Sequence, residues 1–362
     1  VKLRGQEVLL PTTLVGAYPR PVFMEGKVFG EGVDAPEFPS YRMRELYRHA
    51  VALAIKDMTD AGLDIVTDGA QHYENETDYE YAELFHYMAH RLEGYAPYGD
   101  RMQVGAFDLP IYKPTVLGEV KWRRPVFKPV LEAARDATDK PLKINVSLGP
   151  ATLAALSTDK YYGDIKALSL DIARAYNAEF RDLAARGLEI IQITEPLTFF
   201  EPEDWIIEAI NTAFEGVPAY RAVHICYGHE EGQPGILELK ADRLFPWAFQ
   251  LDCDQIHLQT ACHDFAEIDH LRGWPADKDL GVGVIDIEDM RVESPERIAA
   301  WLRRTIEVVP VERVVVSTDC ALASVRRIVA KKKLESLVKG AAIVRAEVLG
   351  TDPETASRAF PA

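Results

Sequence analysis

Short apolar runs rich in β-branched residues recur along the chain, and the segments between them space their apolar residues at a helical period. Eight runs stand out: 11–16 (PTTLVG), 63–69 (LDIVTDG), 142–150 (LKINVSLGP), 188–196 (LEIIQITEP), 220–228 (YRAVHICYG), 254–261 (DQIHLQTA), 279–288 (DLGVGVIDIE) and 312–320 (ERVVVSTDC). Amphipathic stretches such as Ile165 to Arg186 and Ser294 to Val309 lie between them. Strand followed by helix, repeated, predicts parallel strands joined by crossover helices. Eight such units is the count of a closed barrel, so the predicted fold class is α/β, a (β/α)8 TIM barrel. An open doubly wound sheet is the competitor, but no GxGxxG follows the first run. The stretch 70–141 is too long for one crossover helix and predicts an insertion after the second strand. Within it, Tyr73 to Leu92 is expected to be helical and Met102 to Val120 to form a hairpin or lid. No low-complexity linker or internal repeat interrupts the pattern, so residues 1–362 are expected to form a single barrel domain.

Polar residues crowd the C-terminal ends of these runs: Asp68, Thr194, Glu195, His224, Cys226, Gln259, Asp286, Glu288, Asp319 and Cys320. In a barrel those ends form the catalytic rim, while the opposite ends serve stability. Burying so many polar groups without partners is costly, so their concentration on one face predicts a site.

Composition narrows the chemistry. A net charge of −16 argues against nucleic acid, whose phosphates reward a basic face. The short basic runs Lys121 to Arg124 and Lys331 to Lys333 read as solvated surface. No stretch approaches the length of a membrane span, and Val1 to Pro11 has no signal-peptide layout, so a cytoplasmic enzyme is expected. Four cysteines in 362 residues do not make a disulfide scaffold; reduced thiols or metal ligands fit better.

His224 and Cys226 stand two apart in the fifth run, so a period of two turns both side chains to the same face. Cys320 ends the last run, and barrel closure brings the fifth and eighth strands to one opening. Imidazole plus two thiolates suits zinc, and three protein ligands with one replaceable position is the layout of a catalytic zinc site. The same residues read equally well as core-packed side chains when His-x-Cys is taken alone.

The chain resembles the C-terminal catalytic domain of cobalamin-independent methionine synthase and its stand-alone relatives over nearly its whole length. The resemblance rests on Thr12–Thr13–Leu14–Val15–Gly16, Thr67–Asp68–Gly69, Gly149–Pro150, Ile193–Thr194–Glu195–Pro196 and His224–Ile225–Cys226–Tyr227–Gly228. It continues through Val284–Ile285–Asp286, Val292–Glu293–Ser294–Pro295–Glu296 and Asp319–Cys320. It implies a zinc barrel with His224, Cys226 and Cys320 as ligands, in which a thiol substrate coordinates the metal, ionises and attacks an alkyl donor. The implied partners are a small thiol and that donor; a homo-oligomer is compatible with the sequence but not specified by it.

The departures from that family are informative. Its fourth ligand, a Glu on the sixth strand, is here Gln259, which offers a neutral carbonyl or leaves the site open; Cys262 or His263 could substitute. The two acids that hold the homocysteine amino group read Ala70 and Thr194. An ammonium without a counter-charge is unfavourable in a dry pocket, so homocysteine is expected to be a poor substrate. The family's pterin-stacking Trp reads Leu156, its proton-donating His reads Glu288, and its first-strand Ser after Gly16 reads Ala17. These changes fit a relative such as epoxyalkane:coenzyme M transferase, whose Tyr-Pro-x-Pro block is similar to Tyr18–Pro19–Arg20–Pro21. Arg20 could pair with a sulfonate or carboxylate. Gly16, Tyr18, His72, Tyr73, Glu195 and Tyr227 are candidate pocket residues. Asp319, and His229 just past Cys226, join Glu288 as candidate catalytic residues. The rivals are a homocysteine methyltransferase, a metal-free decarboxylase of the uroporphyrinogen type, and a non-catalytic zinc-binding protein.

Overall fold

The computed structural model describes residues 1–21, 41–71, 87–96, 101–103, 110–196, 202–228, 244–266 and 268–360. Its centre is a parallel sheet of seven strands: β1 (Val66–Thr67), β2 (Leu142–Val146), β3 (Ile190–Thr194), β4 (Tyr220–His224), β5 (Gln255–Leu258), β6 (Asp279–Gly283) and β7 (Val314–Ser317). They lie side by side in chain order, each parallel to the next. β3, β5, β6 and β7 are buried at every position, as expected of strands covered on both faces.

The first apolar run touches both edges of this sheet. Thr12 makes a parallel bridge to Val316, Thr13 N–H donates to the Val316 carbonyl at 2.9 Å, and Ile65 N–H donates to the Thr12 carbonyl at 3.0 Å. One segment bonded to β7 and to the approach of β1 requires the sheet to curl, as in a TIM-like barrel. The strands are shorter than the apolar runs suggest: only Val66–Thr67 of 63–69 and Val314–Ser317 of 312–320 are laddered. The remaining residues of those runs form the loops that carry the polar side chains.

Among the described residues, α-helices follow β1, β2, β3, β6 and β7, while only short 3-10 turns (Trp247–Gln250, Ala261–His263 and Ile268–Leu271) follow β4 and β5. The α-helices are α1 (Tyr41–Ala61), α2 (Lys128–Arg135), α3 (Pro150–Leu156), α4 (Ile165–Ala185), α5 (Asp204–Phe214), α6 (Pro295–Ile306) and α7 (Arg327–Leu349). Local sequence sets their ends. The Asp164 carboxylate caps α4 by accepting from Lys166 N–H, and Ser294 caps α6 by accepting from Arg297 N–H ahead of Pro295. α4 packs on α5, and α6 on α7, closing their apolar faces over the sheet. Among the described residues, no helix is long and apolar enough to cross a membrane.

Between β1 and β2, Leu92–Ala96 pairs antiparallel with Thr115–Trp122, and Arg101–Gln103 pairs antiparallel with Pro110–Tyr112. The helix expected over Tyr73 to Leu92 falls mostly outside the described residues. A buried ion pair lies at the opposite end of the sheet. Arg345 Nη2 lies 2.8 Å from Asp64, whose carboxylate also accepts Thr12 N–H, the Thr12 hydroxyl and Ala359 N–H. In a barrel the opposite, C-terminal ends of the strands carry the chemistry.

Candidate metal centre

His224 is the last residue of β4 and is fully buried. Cys226 lies just past the laddered strand, but Ile225 N–H still donates to the His257 carbonyl at 3.0 Å. The extended backbone therefore persists, and the spacing of two keeps both side chains on one face. Cys320 follows β7 in a loop pinned by the Thr318 hydroxyl, which donates to the Cys320 carbonyl at 2.7 Å and accepts from Val15 N–H. The two thiols are free, buried, and 3.7 Å apart at sulfur. Two sulfurs each about 2.3 Å from a tetrahedral zinc would stand about 3.8 Å apart. The three potential ligand atoms of His224, Cys226 and Cys320 all lie within 4.8 Å of one another.

His224 Nε2 and Gln259 Oε1, beside the two sulfurs, are buried and lack hydrogen-bond partners, as does Nε2 of the neighbouring His257. An orphaned buried lone pair is costly unless something else binds it, and a cation beside two sulfurs would do so. Residues and cation therefore fit. Gln259 follows β5 and places its Nε2 at 3.6 Å from Cys226 Sγ, while Gly228 N–H donates to the same sulfur at 3.4 Å. The Cys226 thiol is held well below its ordinary pKa, first by the hydrogen bond from Cys320 and then by His224, against the penalty of burial. Among the described residues, neither Cys262 nor His263 joins this ligand group.

The surrounding loops are held by buried side chains. Asp319 accepts the N–H groups of Thr260, Ala261 and Cys262 at 2.9, 2.9 and 2.6 Å, fixing the loop that begins at Gln259. Burial pushes its carboxyl up to about 6. Lys333 donates to the carbonyls of Asp286 and Arg291 and pairs with Glu293 at 2.9 Å, which holds the loop carrying Asp286 and Glu288. Glu288 itself is half-buried, and its charge reaches the Cys262 thiol, which burial and Asp319 raise far above its ordinary range. Glu195 is buried at the start of α3, where it accepts from Ala151 N–H at 3.2 Å, from Thr152 N–H at 3.1 Å and from the Thr152 hydroxyl.

Neutral polar groups descend from the rim into the interior. Thr194 donates to Asn145 Oδ1 at 3.0 Å, Gln192 donates to the same oxygen at 2.9 Å, and Lys143 Nζ donates to Gln192 Oε1 at 3.0 Å. Lys143 is buried, and desolvation pushes it down to about 7. Gly16 packs against Asn145, where an added Cβ would come within 2.8 Å of the Asn145 Cβ. Across the mouth, Asp68 is buried and pushed up to about 7 by desolvation, opposed by the backbone N–H of Ala70.

The remaining candidate residues scatter more widely. Ala17 accepts Leu322 N–H through its carbonyl, and Ala70 is half-buried with a left-handed backbone, φ 54°. Tyr18 is buried, and its hydroxyl donates to Asp57 on α1 at 3.3 Å, beneath the Arg327 guanidinium at the start of α7. Arg20 is half-buried, with no ion pair or hydrogen bond among the described residues. Leu156 ends α3 against the core, and Tyr227 is buried with its ring centroid 6.1 Å from that of His263. His72, Tyr73 and His229 lie outside the described residues. His257, Asn145, Gln192 and Lys143 were not anticipated. The one available signal was that His257 precedes Gln259 by two residues and so shares its strand face.

Comparison with known proteins agrees with this geometry. Residues 10–343 match the family model described as cobalamin-independent synthase, catalytic domain. A methionine synthase from Saccharolobus solfataricus is 33% identical over 94% of this chain and 96% of its own. A 2-hydroxypropyl-CoM lyase from Xanthobacter autotrophicus is 30% identical over 96% of this chain and 98% of its own. The structure of a B12-independent methionine synthase from a Shewanella species, in complex with selenomethionine, superposes with a TM-score of 0.80 at 28% identity, covering 94% of this chain and 99% of that one. A family match across most of the chain, met by a His, Cys, Cys cluster at the strand ends, leads to one conclusion: the chain belongs to the cobalamin-independent synthase catalytic-domain family.

Proposed function

We propose that this member of a family of methyl- and alkyl-transferring enzymes binds one zinc ion through His224, Cys226 and Cys320 and alkylates a small thiol. The observation that carries the reading is the buried cluster itself, with its ligand atoms within 4.8 Å and His224 Nε2 unpartnered. When bound, zinc supplies a Lewis acid that lowers the pKa of a thiol and keeps it a thiolate at neutral pH. The rest falls to the chain. Residues 1–362 act as one catalytic (β/α)8 barrel closed by the 11–16 segment, with insertion and lid elements drawn from 70–141. Gln259 leaves the fourth position replaceable, as a neutral amide beside Cys226.

The preferred thiol is acidic and lacks an amino group. Ala70 and Thr194 present no carboxylate to an ammonium, and Thr194 is engaged with the neutral Asn145. Arg20, half-buried and unpaired among the described residues, suits a sulfonate or carboxylate. Two thiolates without a carboxylate leave the centre formally neutral, which favours a reactive electrophile such as an epoxide. In that reaction the substrate sulfur forms a C–S bond as the C–O bond breaks, and Glu288 gives its proton to the leaving oxygen. The 2-hydroxypropyl-CoM lyase relative supports this direction.

Homocysteine methylation is the second reading, favoured by the 33% identity to a methionine synthase. A panel of thiols with and without amino and sulfonate groups separates the two. Alkyl transfer would be followed with each in turn, using an epoxide and a methyl donor. The account predicts kcat/KM at least about tenfold higher for the sulfonated thiol, the size of one unpaired charge interaction. A clear preference for homocysteine would overturn the specificity argument in favour of the second reading.

A further inference from the structure

Resting on the zinc reading above, we propose that His257 is a positioning residue that fixes His224 as its Nδ1–H tautomer and so presents the Nε2 lone pair to the metal. The two residues are register partners on β4 and β5. Their rings meet at 61° with centroids 4.7 Å apart, and Nδ1 faces Nδ1 at 2.7 Å. Two ring nitrogens at that distance share one proton in a hydrogen bond; were neither protonated, lone pair would face lone pair. The proton therefore belongs to one ring or the other. Nε2 of both rings is buried without a hydrogen-bond partner, so the pair taken alone does not choose between them. The choice comes from the ligand group: a cation beside Cys226 and Cys320 would take the Nε2 lone pair of His224, and the shared proton then sits on His224 Nδ1 with His257 Nδ1 accepting it.

The space for this arrangement is built into the sheet. On β6 the residue paired with His257 is Gly281, where an added Cβ would come within 2.7 Å of His257 Cδ2. A side chain at 281 would also meet Gln255 Nε2, so the glycine leaves room for both side chains of β5. Partners of this kind orient a ligating imidazole, and their loss ordinarily costs roughly 10–100-fold in metal affinity.

The test uses two near-isosteric variants. Asparagine places an oxygen where histidine has Nδ1, whereas leucine has a methyl there. Zinc affinity is read by competition with a chromogenic chelator, and the proton on His224 Nδ1 by ¹⁵N NMR of the zinc-loaded protein. His257→Leu is expected to weaken zinc roughly 10–100-fold, and His257→Asn to stay within about threefold of the parent. Equal affinities in all three proteins, or equal losses in both variants, would overturn the proposal. So would a His224 Nδ1 that carries no proton in the zinc-loaded parent, a reading that remains available if the leucine variant fails to fold. Should the parent take up no zinc at all, the function proposed above falls; zinc bound by the parent and held equally well by both variants counts against His257 alone.

Discussion

At the scale of single residues, the pairing of His224 with Cys226 was legible because it depends only on strand periodicity. His224 and Cys226 share a face whenever the backbone is extended, and the structure keeps it extended past the last laddered residue. The partners across the strands were not legible. That His257 meets His224, or that Lys143 reaches Gln192, depends on register between strands far apart in sequence. Lys143 also supplies a pH test. In the unfolded chain it holds a proton up to about pH 10.4, but in the fold only up to about 7. Between those values the unfolded state binds more protons, so this group makes stability rise with pH through that window, and its penalty is complete below it. Urea unfolding of Lys143→Met at a series of pH values should lose that rise, which approaches roughly 1.4 kcal/mol per pH unit at its steepest. Parallel pH profiles for parent and variant would show that the ammonium is not buried as described.

At the scale of elements, sequence patterning located the strands and the long crossover helices but blurred their ends. The runs 142–150 and 188–196 look like single strands, yet each stops at a ladder's end and turns into a loop that carries a polar group. The reason is visible in Glu195. Its carboxylate gathers the free N–H groups at the start of α3, and Gly149 is required because a Cβ there would run into Glu195. Such capping at long range leaves no local signature. Glu195→Ala should strand those buried donors and lower stability by roughly 2–3 kcal/mol in chemical denaturation, with Glu195→Gln losing less. Identical stability in all three proteins would mean that the cap carries no weight.

At the scale of the whole molecule, the alternation of apolar runs with helical segments foretold a parallel α/β sheet with strands in chain order. The joining of the first run to both sheet edges followed from the same count. What secures that junction was hidden, because it is a buried ion pair between residues 281 positions apart, Arg345 and Asp64. Asp64 also holds Thr12, so the pair ties the first run to the last helix. Arg345→Leu should leave the Asp64 carboxylate uncompensated and cost about 3–5 kcal/mol, read as a lowered urea midpoint. An unchanged midpoint would contradict that assignment.

The central claim concerns two sulfurs and one imidazole nitrogen around a single cation, and zinc K-edge X-ray absorption of the purified protein reads that set directly. The account predicts about one zinc per chain, with two sulfur neighbours near 2.3 Å and one nitrogen near 2.0 Å. Cys226→Ser and Cys320→Ser should each remove one of those sulfurs or abolish binding. A metal-free protein after zinc loading, or a shell of nitrogen and oxygen without sulfur, would contradict it.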